Sequence, residues 1–356
     1  MRARLIDIAQ VAGVSEATVS RVLNGRSGVN DATRRIVIEA ARRLGRDVTP
    51  EREETGPLVG VLVPDLDNQV FGAWVERIEA ELFQRGASAL IALRARTVER
   101  ERDILRRFQR ARADGIIVLS GHHAQSEGPI AHYREVTDFG IPLVLINGVR
   151  EDLTASYLST DDDHAVRIVV AHLEELGHTR IGLAVGDEST WPVRTKVAAF
   201  EDTARRSSAG EADAGATEQD PADTDPARVE ELEDRLVSYT DFSYAGGYEA
   251  ARDLVDRGAT AIMCGSDVMA AGALEGVRSL GLEVPADVSV VGYDDVSWAA
   301  LTSPPLTTVR QAVPQMARAA VVAALSGGSQ SRRPARTEVV VRPQLVVRGS
   351  TAAAPR

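Results

Sequence analysis

Leu5–Asn24, LIDIAQVAGVSEATVSRVLN, reads as two short helices joined by a tight turn. Ile6, Ile8, Ala9 and Ala12 fall on one helical face. Gly13 follows where the chain must reverse, and Ser15 stands where a second helix needs an N-cap. In that second helix Val19, Val22 and Leu23 turn inward. Glu16, Ala17, Thr18, Ser20, Arg21 and Asn24 turn outward, small or polar groups suited to phosphates and base edges. The spacing is that of a helix-turn-helix, whose second helix lies in a DNA major groove. Periodicity alone also fits a helical hairpin used only for packing.

Charge favours the first reading. The 356-residue chain carries a formal charge of −11. Its first fifty residues hold nine arginines and five acids, so they are +4 and leave −15 for the rest. An acidic protein with a basic first segment concentrates its polyanion-binding surface in one place. The acidic bulk is repelled by DNA, so one small head binds weakly and two heads held in a dimer compensate. A single cysteine, Cys264, excludes an intrachain disulfide and a cysteine metal cluster. Its apolar neighbours (AIMCG) place it in a buried strand. No apolar run of about 18 residues and no signal-peptide pattern occur, which predicts a cytoplasmic protein without a membrane partner.

A third helix is expected from Asp31 to Leu44, capped by Asn30 or Asp31, with Ile36, Ile38, Ala40 and Ala41 available to pack. The head thus spans residues 1–46. Residues 47–57 (DVTPEREETGP) are polar and acidic and read as a linker. From 58 to 356 the pattern becomes regular. Apolar runs at 58–63, 87–93, 115–120, 142–147, 180–185, 260–265 and 287–295 look like buried parallel strands. Helical stretches fall between them, at 72–85, 99–113, 129–139, 163–176, 192–206, 244–257 and 268–280. This alternation specifies doubly wound parallel sheets, and the length divides naturally into two lobes. Residues 207–227 are small and acidic without large apolar groups, which predicts a disordered surface loop.

With a helix-turn-helix, a linker and two α/β lobes in order, the chain resembles the lactose-repressor/galactose-repressor (LacI/GalR) family of transcription factors. The residues that carry the likeness are DIAQVAGVSEATVSRVLNG (7–25), GVLVPDLDNQVF (60–71), HLEELGHTRIG (172–182), SDVMAAGAL (266–274), ADVSVVGYDDVSWAALTSPPLTTVRQ (286–311) and QLVVRGST (344–351). The resemblance implies an all-α DNA-binding head and an α/β core of two doubly wound parallel-sheet lobes like periplasmic sugar-binding proteins. It implies a homodimer on a pseudo-palindromic operator in double-stranded DNA. A small-molecule effector, carbohydrate in preference to nucleobase, would sit between the lobes and change operator affinity, with repression the expected mode.

By position in the family motif, Glu16, Ala17 and Arg21 match base-reading residues. Arg21 has the fork to grip guanine O6 and N7, and Glu16 either accepts from cytosine or faces solvent. Ser15, Thr18, Ser20, Asn24, Asn30 and Thr33 suit phosphate contacts or caps. Family members usually carry a hinge helix with a leucine that wedges into the minor groove. Residues 47–57 have no such leucine and place Glu51, Glu53 and Glu54 there, which predicts weak bending of the operator.

For the effector, Asp294 matches the family carboxylate that accepts from ligand hydroxyls, and Phe242 matches the stacking aromatic. Phe71 matches an aromatic on the facing lobe. Lys196 fills a slot where arginine is usual, with Arg194 nearby as a substitute, although a lysine lacks the planar fork. Asn68, Ser266 and Gln311 fill further polar slots. The plainer readings are core aromatics for Phe71 and Phe242 and a turn cap for Asp294. Asp267 is expected to be the N-cap of the next helix, and Asp161, Asp162 and Asp163 to sit at a helix N-terminus. His122, His123 and His164 lack ligand spacing, so neither metal nor cofactor is expected. A solute-binding protein lacks reason for a basic head. A sugar kinase or isomerase would need a nucleophile–base pair, a phosphate loop or a metal motif, and none is seen.

Overall fold

The computed structural model describes residues 4–23, 29–45, 56–64, 66, 68–93, 97–208, 236–326 and 336–355. The chain divides into two compact units, Met1–Gly56 and Pro57–Arg356. Asn24, nearly all of the linker at 47–57 and most of the loop at 207–227 lie outside the described residues.

The first unit holds helices α1 (Leu5–Ala12), α2 (Glu16–Leu23) and α3 (Asp31–Arg43). Each helix starts and stops for a chemical reason. Asp7 accepts from the Arg4 N–H at 3.0 Å at the start of α1. Gly13 closes it with φ +66°, a left-handed backbone that a side chain would strain. The Ser15 hydroxyl accepts from the Thr18 N–H at 3.2 Å to cap α2, and Asn30 accepts from the Thr33 N–H at 2.8 Å to cap α3. The core is Ile8, Ala9, Ala12, Val19, Val22, Val37, Ala40 and Ala41. Ile6 and Ile36, expected to pack, are 54% and 52% exposed. Two residues on from Ile6, and one on from Ile36, the helical turn carries Ile8 and Val37 inward instead.

The second unit is built on two six-stranded sheets. In chain order its elements are β1 (Leu58–Val63), α4 (Gln69–Phe83), β2 (Ser88–Leu93), α5 (Val98–Arg110), β3 (Gly115–Leu119), α6 (Ala131–Asp138), β4 (Leu143–Ile146) and β5 (Ser156–Thr160). Then come α7 (Asp162–Glu175), β6 (Ile181–Val185), α8 (Trp191–Ser208), β7 (Val237–Tyr239), α9 (Tyr244–Asp256), β8 (Ala261–Cys264), α10 (Asp267–Ser279) and β9 (Ser289–Asp294). The chain closes with β10 (Thr307–Arg310), α11 (Val313–Leu325), β11 (Thr337–Val341) and β12 (Gln344–Val346). The strand orders are β11-β5-β4-β3-β1-β2 and β12-β10-β9-β8-β6-β7. All pairings are parallel except β10 with β12.

Six of the seven apolar runs become buried central strands, as a parallel sheet covered on both faces requires. The run at 87–93 becomes β2, an exposed edge strand that no neighbour covers on its outer side among the described residues. Residues 156–160, 237–239, 307–310, 337–341 and 344–346 add strands, and 313–325 adds a helix, that periodicity does not single out. Helix α8 runs to Ser208 and takes in the first two residues of the expected loop. The chain passes between lobes three times, after β5, after β10 and after β11. As a result α11, which follows a strand of the second lobe, packs on α4 and β3 of the first. At the far end of the second lobe Ser350 is fully buried, taking the Thr307 N–H at 2.8 Å and donating to the Val290 carbonyl. Among the described residues no helix is long and apolar enough to cross a membrane.

Candidate functional site

Two surfaces carry polar groups that packing does not explain. On the head, Ser15, Glu16, Ala17, Arg21 and Asn30 are exposed, and Thr18, Ser20 and Thr33 are half-buried. Glu16, Ala17 and Arg21 project from the first and second turns of α2, on the side opposite Val19 and Val22. Burial on one face forces this display on the other, since a helix turns about 100° per residue. Ser15, Asn30 and their partners also hold helix ends in place, so the groups suited to phosphate sit at fixed cap positions.

The second surface lies where the strands of both sheets end. In doubly wound sheets ligands bind at the carboxyl ends of the strands. Asp294 is the last residue of β9, with φ +119° and only 8% of its surface exposed. Asn68, on the loop leaving β1 in the other lobe, donates its amide to one carboxylate oxygen at 3.1 Å. Gln311, on the crossing after β10, donates to the other at 2.6 Å. Gln311 in turn accepts from the Thr160 hydroxyl at 2.9 Å, at the end of β5. Burial pushes the Asp294 carboxyl up to about 7, against the two amide bonds, which favour the ionised form.

Beside it lies a buried ion pair. Lys196 of α8 is 2.7 Å from Asp162, the first residue of α7, and both are almost fully buried. The Tyr293 hydroxyl donates to the same Asp162 oxygen at 2.5 Å, and the Lys196 ammonium lies 4.2 Å from the Tyr293 ring centre. Burial, then the Asp162 charge, raises Tyr293 well above its usual range, so it stays a donor. The aromatic partner is Phe242, 43% exposed. Its ring lies on the chain at Gly186 and Gly265, just past β6 and β8, where an added Cβ would come within 2.3 and 2.9 Å of it. Glycine at both places is what allows a flat ring to lie across the strand ends.

The expected residues separate into groups. Asn68, Gln311 and Asp294 form one hydrogen-bonded set, and Lys196 reaches its edge through Asp162 and Tyr293. Phe71 is half-buried and packs on the core, whereas Phe242 is open to solvent. Arg194 is exposed, with its guanidinium in no hydrogen bond or ion pair among the described residues. Ser266 is the N-cap of α10, accepting from the Met269 N–H at 3.2 Å. This corrects the expectation that Asp267 caps that helix. Asp267 is fully buried one position later and takes the Val296 N–H at 2.8 Å and the Thr308 hydroxyl at 2.5 Å. Burial, then the neighbouring Asp294, pushes it up to about 8. Tyr293 and Thr160 also belong to the site although nothing in the sequence marks them, and Asp162 joins them from the helix N-terminus where it was expected. Among the described residues no group of three or more potential ligands could hold a metal ion.

Residues 4–45 match the family model described as bacterial regulatory proteins, lacI family, and residues 170–351 match the periplasmic binding protein-like domain. The HTH-type transcriptional regulator reg1 of Streptomyces lividans is 41% identical, over 100% of this chain and 98% of its own. A transcriptional regulator CelR–cellobiose complex superposes with a TM-score of 0.67 at 28% identity, covering 98% of this chain and 100% of that one. A lac repressor dimer bound to operator and the anti-inducer ONPF gives 0.68 at 26%, covering 99% and 100%. With a helix-turn-helix head, a two-lobed periplasmic-binding-protein-like core and a relative matched end to end, this chain belongs to the LacI family of DNA-binding transcriptional regulators, which are not enzymes.

Proposed function

We propose that the protein is a homodimeric repressor that reads a pseudo-palindromic operator and is controlled by a sugar held between its lobes. The observation that carries this reading is the cradle around Asp294. A buried carboxylate steadied by amides from separate parts of the chain, beside an exposed aromatic face at the strand ends, is what grips a polyhydroxylated ring. Asp294 accepts from sugar hydroxyls, Phe242 stacks, and Asn68, Gln311, Lys196, Ser266, Arg194 and Phe71 border the ligand. On DNA, Glu16, Ala17 and Arg21 read base edges. Ser15, Thr18, Ser20, Asn30 and Thr33 hold phosphates, with Asn24 completing the set. A glucose disaccharide is the first effector to test, because the similar CelR is bound to cellobiose.

A dimer is favoured by the edge of the first lobe. Strand β2 presents Leu90, Ile91 and Leu93 to solvent at 36–49% exposure, beside Phe83 of α4 at 75%. An apolar, unpaired edge strand of this kind is covered in most proteins, and a second copy supplies a matching edge. The test is a gel shift with the region upstream of the protein's own gene, with and without cellobiose and a panel of other sugars. Selective, salt-sensitive binding that one sugar alters is expected. Binding indifferent to sequence and to every sugar would overturn the reading.

A further inference from the structure

We propose that Asn68 is a latch between the lobes, one that competes with the effector for Asp294 and does not itself hold the effector. The inference rests on the reading of the cleft as the effector site, and it concerns how that site is regulated.

Three observations carry it. First, both Asp294 oxygens are already engaged, one by Asn68 and one by Gln311. Asp294 keeps spare lone pairs, but with only 8% of its surface exposed a sugar diol reaches its oxygens only when one of the groups covering them moves aside. Second, each amide is anchored through its own carbonyl oxygen, and the two differ in their grip on Asp294, 2.6 Å from Gln311 and 3.1 Å from Asn68. Gln311 sits on a lobe crossing and is anchored from its far side by Thr160. Asn68 is fastened by its own carbonyl oxygen, which caps α4 by accepting from the Val70 N–H at 3.1 Å. Its amide can let go of Asp294 without disturbing that cap. Third, Asn68–Asp294 joins the two lobes through a buried carboxylate. Among the described residues, Ser297 with Gln69 at 3.2 Å, Thr160 with Gln311 at 2.9 Å and the Ser126 N–H with the Ser189 carbonyl at 2.9 Å also cross between lobes, and all join neutral groups. Once Asp294 is ionised, above about pH 7, its bond from Asn68 is about twice as strong as one between neutral groups. Exchange of Asn68 for a ligand hydroxyl therefore changes what holds the lobes, and a ligand moves an equilibrium only through such a difference.

The test uses Asn68→Ser, which keeps an N-cap oxygen but cannot reach Asp294, and Asn68→Asp, which keeps the cap and sets a second carboxylate against Asp294. Thermal unfolding confirms that each variant folds. Spin labels on cysteines introduced at Asp138 and Asp256, exposed sites on the two lobes, report the separation in the full-length protein without ligand. Native Cys264 is fully buried and stays unlabelled. A latch predicts longer and broader distances in both variants, and unchanged distances overturn it. Calorimetry with cellobiose then separates the roles by sign. Removal of a competitor tightens binding in Asn68→Ser by about tenfold, whereas weaker binding assigns Asn68 to the effector and overturns the latch. If no sugar binds wild type or variant, the effector reading fails and the distances alone decide the latch.

Discussion

The Lys196 ammonium lies 2.7 Å from Asp162 and 4.2 Å from the centre of the Tyr293 ring, in a pocket almost closed to water. A buried charge deprived of its partner is far more costly than a buried pair removed whole. Lys196→Met is therefore expected to destabilise the core by about 3–5 kcal/mol. The double variant Lys196→Met/Asp162→Asn recovers most of that loss. Urea unfolding of the two proteins checks the order, and a double variant less stable than the single one refutes it.

Arg21 is exposed on the outer face of α2, away from the head's core. Arg21→Ala is expected to cost about 1–3 kcal/mol of discrimination between operator and unrelated DNA while leaving sugar binding unchanged. Competition gel shifts at fixed salt measure this. Equal affinity and equal selectivity in the variant would remove Arg21 from the base-reading set.

Asp294 and Asp267 are held up to about 7 and about 8, mainly by burial. The folded protein therefore keeps protons that the unfolded chain releases near pH 4, and stability from these groups falls as pH rises from about 4 to about 8. Asp267→Asn is expected to flatten that slope, checked by urea midpoints between pH 5 and 8.5. Glu101 has the opposite sign. It is fully buried, and although burial alone would raise it, hydrogen bonds from His122 at 2.9 Å, His132 at 3.0 Å and Tyr133 hold it below the usual carboxylate range. Its contribution is present above about pH 4.5 and is lost as pH falls below that. Glu101→Gln shrinks the acid limb and leaves the slope from pH 5 upward in place.

Phe242 lies against Gly186 and Gly265 and is 43% exposed. Phe242→Ala is expected to weaken sugar binding by about 0.5–1.5 kcal/mol beyond its lost area, with operator affinity in the absence of sugar retained. Gly186→Ala gives the same direction by lifting the ring, since the new methyl would meet it at 2.3 Å. Calorimetry on both variants tests the stack, and undiminished affinity in both rules it out.

What the sequence discloses follows from burial. The central strands are covered on both faces and so appear as apolar runs, LVGVLV and AIMC among them. Strand β11 (TEVVV) is an exposed edge, and β5 (SYLST) is buried although it carries two serines and a threonine, so neither stands out by composition. In the site, Asp294, Gln311 and Asn68 were reachable through motif likeness, but Asp162 was hidden among three consecutive acids. The helical turn sends those three in different directions. Asp161 caps α7 by accepting from the His164 N–H, Asp163 pairs with Arg167 at the surface, and Asp162 alone turns in to Lys196. Residue type cannot separate them, and only the partners do.

The three passages between lobes also dictate an order of events on the ribosome. The head is one uninterrupted stretch and has all its core residues early. The first lobe does not, because α11, which covers α4 beside Trp74 and Ile78, is synthesised only after nearly all of the second lobe. A nascent chain thus carries a finished DNA-reading module ahead of a half-roofed sheet, with its apolar face waiting for a helix still to be made. Such a face invites chaperones and aggregation alike. The first lobe is therefore complete only once α11 has been made, late in synthesis.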